Sequence, residues 1–413
     1  MDNSPSAIGN PNIPNLNPTP STPNTPSTPN IPSIPSESLP SDSNKILSGK
    51  WRGNGRVINE TYKRISRAVL SGDGSTIGIL FPNFTKKPSV VQIKKIEENG
   101  IFDVGSEIKA LDNIDDSMLS MAMSGEADRV AISFKRSNNG YVQVFKLVLG
   151  DWLPDGGILL SGTPNDNFGD AIAMSEDGKR FVVGANLDRN GKGAVYIYDL
   201  IDDEWPQSSK MLRGEESGAL FGTSLDISGD GSKIAVSSNA LSPIDSTLQS
   251  VQVYSIESGD NWVEYGDLIP RYAPPEAFYA ISLSLSFSGN EIAVSNGGND
   301  QNLPLSTIFE LTSSNTWLPI GPAIVGDGVD LTGDGRLVFV TSFEEKTSST
   351  YLWTNSKWEQ IGNTFPGMGQ VESTAGVTVS SDGSQLMIVE HLVLNPNVGL
   401  RSRIRLFKLV IDE

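Results

Sequence analysis

The stretch "SGDGSKIAV", residues 228–236, places a Ser-Gly-Asp-Gly turn between two short runs of β-forming residues, "SLDI" before it and "KIAVSS" overlapping its end. In such a turn the Ser and Asp side chains hydrogen-bond nearby backbone amides, and Gly supplies the positive φ of a tight hairpin with a bulge. The pattern recurs as "SGDGSTIGI" (71–79), "SEDGKRFVV" (175–183), "TGDGRLVFV" (332–340) and "SSDGSQLMI" (380–388). Two worn copies, "SGEADRVAI" (124–132) and "SGNEIAV" (288–294), complete a set of seven. The opening Ser or Thr residues stand at 71, 124, 175, 228, 288, 332 and 380, a period of about 51 residues. A fixed period of this size marks a repeat architecture. The worn copies lack the Asp-Gly pair, so Ala127 and Asn290 are expected to depart from the common turn geometry.

Each unit adds a third alternating run, such as "YVQVFKL" (141–147) or "RIRLFKL" (403–409), and a fourth marked by Trp-x-x-x-Gly. That mark stands at Trp152/Gly156, Trp262/Gly266, Trp317/Gly321 and Trp358/Gly362, while Trp205 lacks the Gly and Ile101/Gly105 lacks the Trp. Four short strands per unit predict a propeller blade, and seven units predict an all-β, seven-bladed β-propeller with four antiparallel strands per blade. Two residues before each turn the chain carries Val69, Ala122, Ala173, Asp226, Ser286, Asp330 and Thr378, mostly small, as suits a strand beside a central axis. The second runs are more continuously apolar, as expected of strands buried on both faces. The seventh unit stops after its third run, whereas "KWRGNGRVI" (50–58) carries Trp51-x-x-x-Gly55 with no unit before it. Residues 50–58 are therefore expected to pair antiparallel with 403–410 and complete blade 7, which removes exposed sheet edges.

Before the ring, residues 1–45 hold 11 of the 25 prolines and no aromatic residue, too little apolar surface to offset the entropy of ordering. The expected organisation is a disordered Pro/Ser/Asn-rich tail, 1–45, followed by a propeller, 46–413. Prolines at 20, 23, 26, 29, 32 and 35 fall every third residue, the repeat of polyproline II. The first basic residue is Lys45, so a spacer fits better than a proline-recognition ligand.

The formal charge of −18 opposes nucleic-acid phosphates and favours a basic protein partner. No apolar run approaches the roughly 18 residues of a membrane span. The start, "MDNSPSAIGN", has neither a basic nor an apolar signal region, so no secretory signal is expected. With no cysteine, disulfides, thiolate metal sites and cysteine nucleophiles are excluded, and the compartment stays open.

The hairpins "SGDGSKIAV" and "SEDGKRFVV" resemble the S-x-D-G-K-x-[IL]-A hairpin of WD-like propellers of the periplasmic translocation-associated and prolyl-oligopeptidase types. The stretch "FGDAIAMSEDGKRFVVGAN…GAVYIYD" (168–199) is similar to the FG-GAP repeat of integrin α chains and to algal and oomycete propeller repeat proteins. These resemblances imply a propeller whose rims bind other proteins. FG-GAP blades often carry a D-x-[DN]-x-D-G calcium loop. Ser-Gly-Asp-Gly supplies one carboxylate where calcium needs several oxygens, so no metal is expected.

For chemistry, His391 is the only histidine, and no Asp partner for a Ser-His-Asp triad is identifiable. Asp226 and Asp330 replace small residues in first strands, as a channel carboxylate pair or as ties between turns. The structural role is the stronger reading, and no catalytic residue or cofactor is assigned. The loops leading into first strands are acidic and share one face of a propeller. Asp112, Asp115, Asp116, Asp166, Asp170, Glu215, Glu216 and Glu276 are the candidate partner face. The functional expectation is a non-enzymatic protein-binding or structural module of a larger assembly, such as a virion or cell-surface layer, with the tail as tether. The alternative is a carbohydrate-active hydrolase or lyase with carboxylates at the channel mouth.

Overall fold

The computed structural model describes residues 50–61, 64–82, 89–109, 117–136, 139–207, 211–238, 248–257, 260–272, 282–296, 304–342, 345–366, 371–393 and 400–410. The expected tail, with Asp112, Asp115, Asp116 and Glu276, lies outside the described residues.

The strands form seven antiparallel sheets, six of them ordered first to fourth strand along the chain and the seventh taking its outer strand from the N-terminal segment. Blade 4 is representative: Leu225–Ile227, Lys233–Ser238, Leu248–Glu257 and Asn261–Glu264. The first strands line the axis, from Arg67–Leu70 in blade 1 to Val371–Val379 in blade 7, and are short except in blades 2 and 7. In blades 1, 2, 4 and 5 the fourth strand is broken into two pieces that both pair with the third, as Asp151–Pro154 and Leu159–Leu160 do in blade 2. The break falls at the glycine of the Trp-x-x-x-Gly mark, which takes a positive φ in each: Gly105, Gly156, Gly266 and Gly321.

Closure occurs as expected. Lys50–Thr61 pairs antiparallel with Leu400–Val410, from Lys50 opposite Val410 to Thr61 opposite Arg401, and so forms the fourth strand of blade 7. The pairing runs three residues beyond the expected 58, and Gly55 lies in a register shift between Gly53 and Val57.

Seven hydrophobic clusters hold the ring, one at each seam between blades. Six contain the tryptophan of the later blade, and at the seam of blades 7 and 1 the partly buried Ile101 stands where that ring would be. Second strands feed two clusters at once: Ile234 and Val236 face blade 3, whereas Ala235 faces blade 5. Both faces of these strands are therefore dry, which is why they read as continuous apolar runs. Burying apolar area on both sides of every blade, at roughly 25 cal/mol per Å², is the main stabilising contribution.

Candidate functional site

The turns at the axis share one hydrogen-bond scheme. In blade 4 the Ser228 hydroxyl donates to Asp230 Oδ1 at 2.6 Å and accepts the Lys233 N–H at 2.9 Å, while Asp230 Oδ1 accepts the Ser232 N–H at 2.9 Å. Ser71, Ser175, Thr332 and Ser380 repeat it with Asp73, Asp177, Asp334 and Asp382. The worn turns correct the sequence reading in two ways. Ala127 adopts φ 53° and so reproduces the left-handed glycine position, while Asp128, two residues later than usual, takes the Ser124 hydroxyl at 2.8 Å. In blade 5 the anchoring residue is Ser286, two positions before the expected Ser288. Its hydroxyl donates to Glu291 Oε2 at 2.6 Å, and Gly289, with φ 66°, fills the glycine position, so Asn290 is not the irregular residue. Ser284, not Ser286, thus lies two residues before that turn.

Residues following the anchors form a closed ring of seven backbone hydrogen bonds. Gly72 donates to Gly125, Gly125 to Glu176, Glu176 to Gly229, Asp230 to Phe287, Phe287 to Gly333, Gly333 to Ser381 and Asp382 back to Gly72, all at 2.8–3.1 Å. Five of the seven anchors are followed by a small residue, and Glu176 and Phe287 turn inward over that space. A Cβ at residue 72 or 125 would overlap the Glu176 carboxylate, and one at 229 would overlap the Phe287 ring. Together they form a floor across the axis. Burial raises the titration of Glu176, opposed by the Ser381 hydroxyl and reinforced by the charges of Glu126, Asp382 and Asp73. Neither residue was singled out from sequence; the available signal was two large side chains where most units have Gly or Ser.

On this floor stands a cavity of about 200 Å³ lined by Met123, Met174, Asp226, Ser284, Asp330 and Thr378 among others. Asp226 and Asp330 do reach the channel, and both are committed. Asp226 Oδ2 accepts the Leu285 N–H of blade 5 at 2.8 Å, and Asp330 Oδ2 accepts the Val379 N–H of blade 7 at 2.8 Å. Ser284 completes the series by accepting the Leu331 N–H of blade 6 at 2.9 Å and donating to Asp330 Oδ1 at 3.0 Å. Burial pushes the Asp226 carboxyl up to about 7, opposed by the Leu285 and Ile227 amides, reinforced by Asp330 and opposed by Arg67. Burial pushes Asp330 up to about 6 against the hydrogen bonds of Val379, Ser284 and Leu331. Both titrate near neutrality, but each already serves as the acceptor that ties one blade to the next.

The other candidates scatter. Asp166 is 1 % exposed, with Oδ1 accepting the Phe168 N–H at 3.0 Å, which removes it from an exposed partner face. Asp170, Glu215 and Glu216 are exposed. His391 is buried against the Ser402 hydroxyl at 2.9 Å, and Ser402 Oγ accepts the Ile65 N–H at 3.1 Å. The histidine thus braces the seam of blades 7 and 1. Among the described residues no three His, Asp or Glu side chains group as metal ligands, and no helix is long and apolar enough to cross a membrane.

Residues 161–198, the connection from blade 2 and nearly all of the first three strands of blade 3, match the family model of the FG-GAP repeat. No curated protein matches the chain. Among solved structures, the chain is similar to the hydrazine synthase of Kuenenia stuttgartiensis, with TM-score 0.52 and 14% identity over 84% of this chain and 95% of that one. It is also similar to the Cps50 (Swd1) β-propeller domain of Myceliophteria thermophila, with TM-score 0.53 and 10% identity over 84% and 99%. The C-terminal WD40 domain of Sif2 aligns with TM-score 0.51 and 12% identity over 87% and 99%. At these identities the likeness speaks to the fold, and the set mixes an enzyme with WD40 and propeller domains.

Proposed function

We propose that this seven-bladed propeller is a non-enzymatic docking module, with a ring face as platform for a basic protein partner and residues 1–45 as tether to a larger assembly. The observation that carries this reading is the state of the channel. Its cavity of about 200 Å³ falls below the roughly 300–1,000 Å³ of small-molecule pockets, and Asp226 and Asp330 are engaged by backbone amides of neighbouring blades. A general base must reach its substrate proton, and these carboxylates are turned to structural partners. Exposed Asp170, Glu215 and Glu216 and the charge of −18 favour a basic partner.

The test is affinity capture with the full chain, a chain lacking residues 1–45, and a Glu215→Lys/Glu216→Lys variant. Loss of a specific partner with the tail deletion supports the tether, and loss with the charge reversal supports the face. Equal capture by all three counts against the reading. The carbohydrate-active alternative rests on the near-neutral titration of Asp226 and Asp330. Turnover of a polysaccharide that disappears in Asp226→Asn and Asp330→Asn would establish it instead.

A further inference from the structure

We infer that the polar half of the channel is a proton-dependent clasp, in which protonation of Asp226 and Asp330 tightens the seams from blade 4 to blade 7 and ionisation loosens them. The clasp is confined to one side of the ring. Two residues before the turn, blades 1, 2 and 3 carry Val69, Ala122 and Ala173, which offer no acceptor. Blades 4, 5 and 6 carry Asp226, Ser284 and Asp330, and each accepts the N–H of the residue just before the turn in the next blade: Leu285, Leu331 and Val379. The Ser284 hydroxyl, donating to Asp330, joins the three contacts into one chain.

The surroundings decide which protonation state suits this chain. Arg67 of blade 1 is the cation that acts on Asp226, and Asp330 of blade 6 is the like charge. Glu176 of blade 3 lines the same cavity and is itself shifted toward its neutral form. With all three carboxyls ionised, three negative charges line a space of about 200 Å³, and Arg67, exposed at the start of its strand, is not among the residues that line it. A protonated Asp226 keeps Oδ2 for the Leu285 N–H. Asp330 protonated on Oδ1 keeps Oδ2 for the Val379 N–H while donating to Ser284 Oγ in place of accepting from it, so both amide contacts survive while the buried charge is removed.

An aspartate in the unfolded chain titrates at about pH 4. Both groups titrate higher in the folded ring, at about 7 and about 6. Their contribution is therefore fully present below about pH 4 and is lost as pH rises through the folded values. On the acid side the gain is bounded by ion pairs that need ionised carboxylates, among them Arg129–Asp155 and Arg403–Glu390. The ring should be firmest in mildly acidic solution.

The test uses the full chain at pH 5, 6, 7 and 8. Melting temperature should fall from pH 5 to pH 8 in the wild type. Asp226→Asn/Asp330→Asn, which keeps an amide oxygen for each N–H, should flatten that slope, whereas Glu98→Gln, at an exposed position away from the channel, should leave it unchanged. Amide exchange at Leu285 and Val379, corrected for intrinsic rate, should be more than about tenfold faster at pH 8 than at pH 5. Met123, on the unclasped side, should change less. A wild-type slope that is flat or rises, a double variant that keeps the wild-type slope, or equal acceleration at Met123 would each overturn the proposal. If the variant is weakened at every pH, its slope and the wild-type exchange still decide.

Discussion

The indole N–H of Trp317 in blade 5 donates to the backbone carbonyl of Tyr265 in blade 4 at 3.1 Å. Trp152 reaches back to Val104 at 2.8 Å and Trp358 to Ile320 at 2.7 Å in the same way. Each accepting carbonyl immediately precedes the glycine of the earlier blade's Trp-x-x-x-Gly mark. The two residues of the mark therefore serve different partners: the tryptophan looks to the blade before, and the glycine makes room for the tryptophan of the blade after. The bond does not follow from the glycine alone: the Trp51, Trp205 and Trp262 N–H groups have no partner among the described residues, although Gly156 and Gly362 stand in the blades before Trp205 and Trp51.

Gly266 shows what this costs when disturbed. Its φ is 76°, and a Cβ there would overlap the Trp317 indole. Gly266→Ala should lower stability by about 2–4 kcal/mol, from left-handed backbone strain together with overpacking. Gly157→Ala, where a Cβ meets nothing within 4 Å, should stay within about 0.5 kcal/mol. Urea denaturation of the two variants checks the contrast, and equal effects would count against the packing account.

Trp51 ties the chain ends. The ring is 8 % exposed in a cluster with Leu337, Phe339 and Ile361 of blade 6 and Leu386 and Leu409 of blade 7. Trp51→Ala should cost about 3–5 kcal/mol, as for other buried aromatics. A thermal shift no larger than that of a surface substitution would contradict this burial.

Closure was legible because Trp51-x-x-x-Gly55 carries the outer-strand mark outside any complete unit, and hydrophobic periodicity reports burial directly. The turn in blade 5 was misplaced because Ser288-Gly289 imitates the Ser-Gly of the other turns, whereas the anchor Ser286 is recognisable only by its bonds to Glu291. Ala127 hid for a related reason: the sequence shows a missing glycine, not the Asp128 carboxylate that supports the same backbone. The channel was half legible. Asp226 and Asp330 stood out among small residues, but the amides they hold belong to other blades, and pairing across roughly 50 residues is not written in local pattern.

The blade 5 register has its own test. Ser286 is buried, and its Oγ accepts the Glu291 N–H at 3.3 Å. Ser228 is equally buried, and its Oγ accepts the Lys233 N–H at 2.9 Å. Alanine at either position leaves a buried donor unpaired and should cost about 1–3 kcal/mol. Ser288→Ala loses only an exposed contact to the Asn290 N–H at 3.3 Å and should cost less than about 0.5 kcal/mol. Denaturation midpoints that rank Ser288→Ala as the worse of the two blade 5 variants would restore the register read from sequence.

The last prediction concerns Glu390, fully buried in the second strand of blade 7. Its Oε2 accepts Arg403 Nε at 2.5 Å and its Oε1 accepts Arg405 Nη2 at 2.6 Å, from guanidiniums whose side chains are each 14% exposed. One carboxylate thus holds two cations beside the strand that the N-terminal segment covers. Glu390→Ala strands both, and the cost should be about 3–5 kcal/mol, because the charges lose their counterion without regaining water. Replacing all three with apolar residues, Glu390→Leu, Arg403→Met and Arg405→Leu, removes the desolvation penalty along with the attraction. That variant should recover most of the loss, since buried ion clusters exchanged for packed apolar side chains are often neutral or stabilising. Calorimetry of the single and triple variants separates the two contributions. A triple variant as unstable as Glu390→Ala would mean that these side chains fit the seam by shape or by hydrogen bonds beyond the cluster, and that charge is not what binds them there.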